Sequence, residues 1–156
     1  MKTTFAALAL SLLGTTLAIP TPQATSDPNP YPVSVGGLSM KHLIESDTYD
    51  FTFEATRRSS SGEALETVTC HTSLINGAPF PDPTSPVACS STYTFYFPSG
   101  AADVESFELA LSGPDGDASG LIAVGPKYLC GPYMGDIGNI DTECRSANGG
   151  EFYLKV

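Results

Sequence analysis

The chain has 156 residues and a mass of 16.3 kDa, room for one domain and too little for a multidomain enzyme. Seven Lys+Arg against 17 Asp+Glu give a net charge of -10 at pH 7, which argues against nucleic-acid binding and against docking on anionic membranes by charge alone. A hydrophobic fraction of 41% is ordinary for a globular chain, so a packed acidic domain is expected rather than a disordered acidic tail.

The N-terminus begins with Met1-Lys2, continues through an apolar run from Phe5 to Leu13 broken by Ser11, and reaches the small residues Thr16 and Ala18. This pattern predicts a secretory signal over 1–18, cleaved after Ala18. The run is about half the ~20 apolar residues a bilayer span needs, so no membrane anchor is expected. Residues 19–33 carry Pro20, Pro22, Pro28, Pro30 and Pro32 among small polar residues, the composition of a flexible extended segment. The folded domain is expected over 34–156.

From there the hydrophobic pattern has a period of two. A strand over 48–57 places Tyr49, Phe51, Phe53 and Ala55 on one face and Asp50, Thr52, Glu54 and Thr56 on the other. Further strands are predicted over 66–72 through Val68 and Cys70, over 91–97 with Tyr93, Phe95 and Phe97 aligned, and over 105–111 with Phe107, Leu109 and Leu111. Two more follow, over 121–124 running towards Leu129 and over 151–156 with Phe152, Leu154 and Val156. Reversals fall at 58–62, Asn76-Gly77, Pro98-Ser99-Gly100, 113–116 and Asn148-Gly149-Gly150, because Gly and Asn tolerate positive φ and Pro presets a turn's first corner. No apolar stripe of helical period is present. The expected fold is all-β, a single antiparallel β-barrel or sandwich.

Cys70, Cys89, Cys130 and Cys144 are an even number in an exported chain, so two disulfides are expected. Three pairings are open; the neighbour pairing Cys70–Cys89 and Cys130–Cys144 is favoured, closing loops of roughly 15–20 residues worth ~3 kcal/mol each. Zinc is not expected, since there is no C-x2-C pair and His42 and His71 do not complete a ligand set.

Catalytic patterns are sparse. No G-x-S-x-G string occurs, oxidised cysteines offer no thiolate, and His42 and His71 have no diagnostic partner and read as exposed surface residues. A secreted hydrolase would need two carboxylates facing each other; Glu54, Glu66, Glu105 and Glu108 fall in predicted strands, but nothing pairs them, and with Trp 0 a sugar platform would fall to Tyr93 or Tyr96. Asp136, Asn139, Asp141 and Glu143 place oxygen ligands close together as a Ca2+ loop does, without the EF-hand spacing. Asp115-Gly116-Asp117 reads instead as a hairpin turn. No cofactor is expected.

The remaining reading is recognition through disulfide-tied loops. The first loop carries Phe80 among Pro79, Pro81 and Pro83; the second carries Tyr133, Met134 and Ile137 among acids. Apolar side chains on covalently tied loops lose less entropy on binding, which makes these four the candidate partner-binding residues.

The signal-type N-terminus, the total length, the two late cysteine pairs, the phrase Tyr49-Asp50-Phe51-Thr52-Phe53 rising to Thr69-Cys70, and the apolar closing strand after Cys144 together resemble the Alternaria major-allergen-like family of fungal secreted β-barrels. The resemblance covers roughly 34–156. It implies a compact barrel, the neighbour pairing of disulfides, and a non-enzymatic secreted effector or elicitor that engages a host plant extracellular defence protein, some members being linked to thaumatin-like proteins. The family prototype has an extra cysteine near its mature N-terminus that joins two chains; residues 19–69 hold none here, so a monomer or non-covalent dimer is expected. A structural surface protein and a small hydrolase using strand carboxylates are the alternatives.

Overall fold

Aromatic residues alternating with polar ones give each strand one face that must be covered. The structure, a computed structural model, describes residues 32–100, 103–135 and 138–156. The signal-type segment 1–18, residues 19–31 of the Pro-rich segment, Asp136 and Ile137 lie outside the described residues. Among those described there are ten strands and no helix: β1 (Val33–Leu43), β2 (Thr48–Arg58), β3 (Ala64–Ile75), β4 (Val87–Ala88), β5 (Thr94–Tyr96), β6 (Ser106–Gly113), β7 (Gly116–Ala123), β8 (Tyr128–Pro132), β9 (Ile140–Ser146) and β10 (Phe152–Leu154).

They form two antiparallel sheets. One runs β3-β2-β1-β9-β8, with β10 also paired to β1; the other runs β4-β5-β6-β7. The inner faces meet in an aromatic core centred on Phe51, whose ring centroid lies 5.4 Å from Phe53, 5.8 Å from Phe95, 5.6 Å from Phe97 and 6.0 Å from Phe107. Phe95, Phe97 and Phe107 come from the second sheet and its β5–β6 connection, so one ring bridges the two layers. Each buried Phe contributes roughly 1.5–3 kcal/mol by burial, and tilted or edge-on pairs add about 0.5–1.5 kcal/mol.

β1 has no unbroken alternation, because its phase changes midway. Val33 and Val35 are buried, then Leu38 and Met40. The register against β2 slips by one residue between Gly36 and Ser39, a β-bulge, with Gly37 at φ +57, a conformation that only glycine adopts without strain. The bulge is also where the other edge of β1 changes partner. Val33–Val35 pairs with β10, and Ser39–Leu43 pairs with β9.

The sheets do not close into a hydrogen-bonded barrel, which corrects the barrel half of the expectation in favour of a sandwich. At one seam Lys155, just past β10, exchanges two 2.8 Å backbone hydrogen bonds with Ser119 of β7. At the other seam no ladder joins β3 to β4; β4 has two residues, and Pro79, Pro81, Pro83 and Pro86 before it have no N–H to donate. There the Cys70–Cys89 disulfide makes the join, with Cα atoms 4.4 Å apart, and Tyr93 Oη donates to Glu66 at 2.9 Å beside it. Both disulfides have the neighbour pairing, and no cysteine is free.

Other boundaries shift. Val33, assigned from sequence to the Pro-rich segment, opens β1, and the span 91–97 is strand only over Thr94–Tyr96, although Tyr93, Phe95 and Phe97 all face inward as expected. Glu105 precedes β6 rather than lying in it. The acidic segment after Asn139 is a strand, β9, whose Ile140, Thr142 and Cys144 alternate with Asp141, Glu143 and Arg145.

Truncating the bridging ring tests this packing. Phe51→Ala is expected to cost about 3–5 kcal/mol in urea unfolding, against less than about 0.5 kcal/mol for the exposed Leu121→Ala. Equal, small losses in both variants would contradict the central role of Phe51.

Candidate functional site

The hairpin β8–β9 starts from a turn in which Gly125 and Tyr128 exchange backbone hydrogen bonds of 2.8 and 3.2 Å around Pro126. Tyr128 then anchors the strand. It is fully buried, its hydroxyl donates to the Val104 carbonyl at 2.9 Å, and its ring meets Phe107 edge-on at 6.0 Å. Burial pushes its phenol far above the usual tyrosine range, so it serves as a neutral donor.

Two residues on, Cys130 stands directly opposite Cys144, and the disulfide joins them with Cα atoms 4.0 Å apart. That spacing marks a non-hydrogen-bonded pair, so the N–H and C=O of Cys130 point away from β9 towards the open edge of the sheet. The neighbouring edge positions are blunted, because Tyr128 spends its groups on Gly125 and Pro132 has no N–H. Strand addition along β8 is thereby discouraged, which leaves side chains as the means of contact.

The outward face of the hairpin supplies them. Leu129, Gly131, Met134, Glu143 and Arg145 surround a shallow depression of about 200 Å3. Met134 is 92% exposed and Leu129 51% exposed. Next to them Tyr133 is held from two sides: its N–H donates to the Asp141 carbonyl at 2.8 Å, and Lys41 Nζ sits 5.8 Å from its ring centroid. The Tyr133 ring lies over Gly135, where a Cβ would meet the end of the ring at 2.5 Å and push it aside. Ile137, the fourth candidate, lies outside the described residues.

Phe80 is a correction. It is 4% exposed and packs on Phe97 with centroids 4.7 Å apart, so its ring is core rather than a presented group. The prolines fold the loop back instead of holding it out. Phe97 N–H donates to the Pro81 carbonyl at 2.7 Å, and Asp82 Oδ1 accepts from Thr84 N–H at 2.9 Å in a local turn whose donors keep its carboxyl below the usual range.

The candidate cation ligands do not converge. Asn139 Oδ1 accepts from Glu45 N–H at 3.0 Å, and Asp141 accepts from His42 at 2.8 Å. Glu143 is met by Lys41 and Arg145, each at 3.8 Å, and by Ser39 Oγ at 3.5 Å. Asn139, just before β9, and Asp141 and Glu143 within it are each spent on separate partners; Asp136 lies outside the described residues. No group of three His, Cys, Asp or Glu among the described residues is arranged to hold a metal ion.

The hydrolase carboxylates are likewise dispersed. Glu66 is bound to Tyr93 at one seam, Glu108 accepts from Ser119 Oγ at 3.1 Å on the second sheet, and Glu54 lies over Gly37 on the first. Glu105 does share an open depression of about 260 Å3 with Asp141, but His42 holds Asp141 below the usual carboxylate range, the opposite of what a general acid needs. His71 is exposed as expected, paired with Asp50 at 2.5 Å. His42 departs from expectation: its side chain is only 16% exposed, tilted on Tyr49 with centroids 4.9 Å apart and bonded to Asp47 and Asp141.

No protein-family model, curated protein or solved structure matches the chain. Function therefore has to be read from its own residues.

Calcium gives a direct check on the acidic strand. Millimolar Ca2+ or EDTA is expected to leave the thermal midpoint within about 1 °C, since only a ligand that binds the folded state raises it. A rise of several degrees with Ca2+ would restore the cation reading.

Proposed function

We propose that this protein is a secreted, non-enzymatic recognition module of the fungal effector or elicitor type, which binds a host plant extracellular protein through the β8–β9 hairpin. The observation that carries the proposal is the exposure of Met134 and Leu129 around one shallow depression, on a hairpin tied at its base by Cys130–Cys144. Large apolar side chains cost solvation when left in water, and a tied hairpin loses little entropy when they are covered. Methionine suits the role, because its unbranched polarisable chain adapts to a partner's contours.

The N-terminal pattern 1–18 and the two disulfides support export, and among the described residues no helix is long and apolar enough to cross a membrane. The resemblance to the Alternaria major-allergen-like family supplies the host-directed part of the proposal. The dispersed carboxylates weigh against hydrolysis.

The test is retention of host proteins from plant extracellular fluid by the immobilised native protein, beside the double variant Leu129→Ala/Met134→Ala. Truncating two central anchors is expected to weaken retention by about tenfold or more. Equal retention by the variant, or no protein retained by either, would overturn the proposal.

A further inference from the structure

His42 closes a network that its neighbours cannot close without a proton. Its Nδ1 lies 2.8 Å from Asp141 Oδ1 and its Nε2 lies 3.0 Å from Asp47 Oδ1. Ionised carboxylates only accept hydrogen bonds, so both ring nitrogens must donate, and only the imidazolium carries two N–H groups. The three residues belong to different elements: His42 to the end of β1, Asp47 to the β1–β2 turn and Asp141 to β9.

The turn is built around this contact. Asp47 holds φ +49, a left-handed conformation uncommon outside glycine, and its Oδ1 also accepts from Asn76 Nδ2 at 2.9 Å. Asn76 N–H donates to the Asp47 carbonyl at 3.0 Å, which brings in the end of β3. On its other side the turn grips the returning leg of the hairpin. Ile44 N–H donates to the Asn139 carbonyl and Glu45 N–H to Asn139 Oδ1, both at 3.0 Å.

We propose that His42 is a proton-operated latch: as imidazolium it clamps the β1–β2 turn to residues 138–141, and on deprotonation it releases them, loosening the hairpin that presents Met134. As a regulator of that surface, the latch rests on the recognition reading given above; as a conformational device it does not.

The groups facing His42 are Asp47 from the turn, Tyr49 from β2 and Asp141 from β9, with Asn76 acting through Asp47. The hydrogen bond to Asp47, then that to Asp141, raises the imidazole above its ordinary 6.5 against the opposing effect of burial, while Asp47 and Asp141 are held below 3.8, chiefly by Asn76 and by His42 respectively. The signs follow. The histidine's contribution is complete below pH 6.5 and is lost as pH rises through its elevated folded value. The carboxylates' contribution is complete above 3.8 and is lost as pH falls through their depressed values. Once neutral, one ring nitrogen turns a lone pair on a carboxylate oxygen, and that contact must open.

The experiment follows amide exchange in the native protein by NMR while the His42 ring is titrated, with rates corrected for the intrinsic effect of pH. Protection at Ile44 and Glu45 is expected to fall by about tenfold, the worth of one charge-assisted hydrogen bond, as His42 loses its proton. Core amides such as Phe51 should show no such step, and His42→Gln should show none at Ile44 or Glu45. Asp141→Asn, which keeps an acceptor without the charge, should lower the pH at which the step occurs. A step in wild type that survives unchanged in His42→Gln, a flat profile in wild type, or a His42 titration below 6.5 would overturn the latch. Because this readout needs no partner, it stands or falls separately from the retention assay.

Discussion

Packing of Phe51 against rings from the opposite sheet is the interaction on which the rest of this molecule depends. Two open sheets with apolar inner faces are stable only while those faces cover each other, and here no continuous ladder of hydrogen bonds wraps around to hold them. Cohesion across the layers comes from Phe51 and Phe53 on one side and Phe95, Phe97 and Phe107 on the other. The seams then need only to keep register. A pair of backbone bonds at Ser119 and Lys155 suffices at one, and the Cys70–Cys89 disulfide at the other.

The two disulfides consequently have different tasks. Cys70–Cys89 joins elements that no ladder connects, and it anchors a proline-rich loop whose own phenylalanine, Phe80, has been drawn into the core. Cys130–Cys144 joins strands already paired, so it adds little to which elements meet. What it does is hold the base of a hairpin at the edge of a sheet, where strands otherwise fray most readily. Buried Tyr128 on one side of that base and the His42 network beyond its loop leave exposed apolar side chains on a supported platform.

Much of the fold is legible in the sequence because much of it has an unbroken period of two. β2 is marked by Phe51 and Phe53 between polar neighbours, and the β6–β7 hairpin by Gly113-Pro114-Asp115-Gly116, whose outer glycines pair in the structure. β1 is hidden because the bulge at Gly36-Gly37 moves its buried positions from Val35 to Leu38, out of phase with any simple alternation. β9 is hidden because its outward acids suggest a cation loop more strongly than Ile140, Thr142 and Cys144 suggest a strand. Of the candidate site, Tyr133 and Met134 are legible from their place between two cysteines. In the sequence Leu129 reads only as the end of a preceding run, and the contacts of His42 with Asp141 and of Asp47 with Asn76 span 99 and 29 residues. Phe80 shows the limit of loop arguments: proline stiffens a loop but does not say which way it folds, and a phenyl ring near an aromatic core is driven into it.

The most direct measurement is photo-crosslinking from single positions in plant extracellular fluid, with a photoreactive side chain placed at Met134 in one protein and at Leu121 of β7, also exposed, in another. If the hairpin is the recognition surface, a host protein is captured from position 134 and not from position 121. Capture of the same proteins from both positions, or from 121 alone, would contradict it.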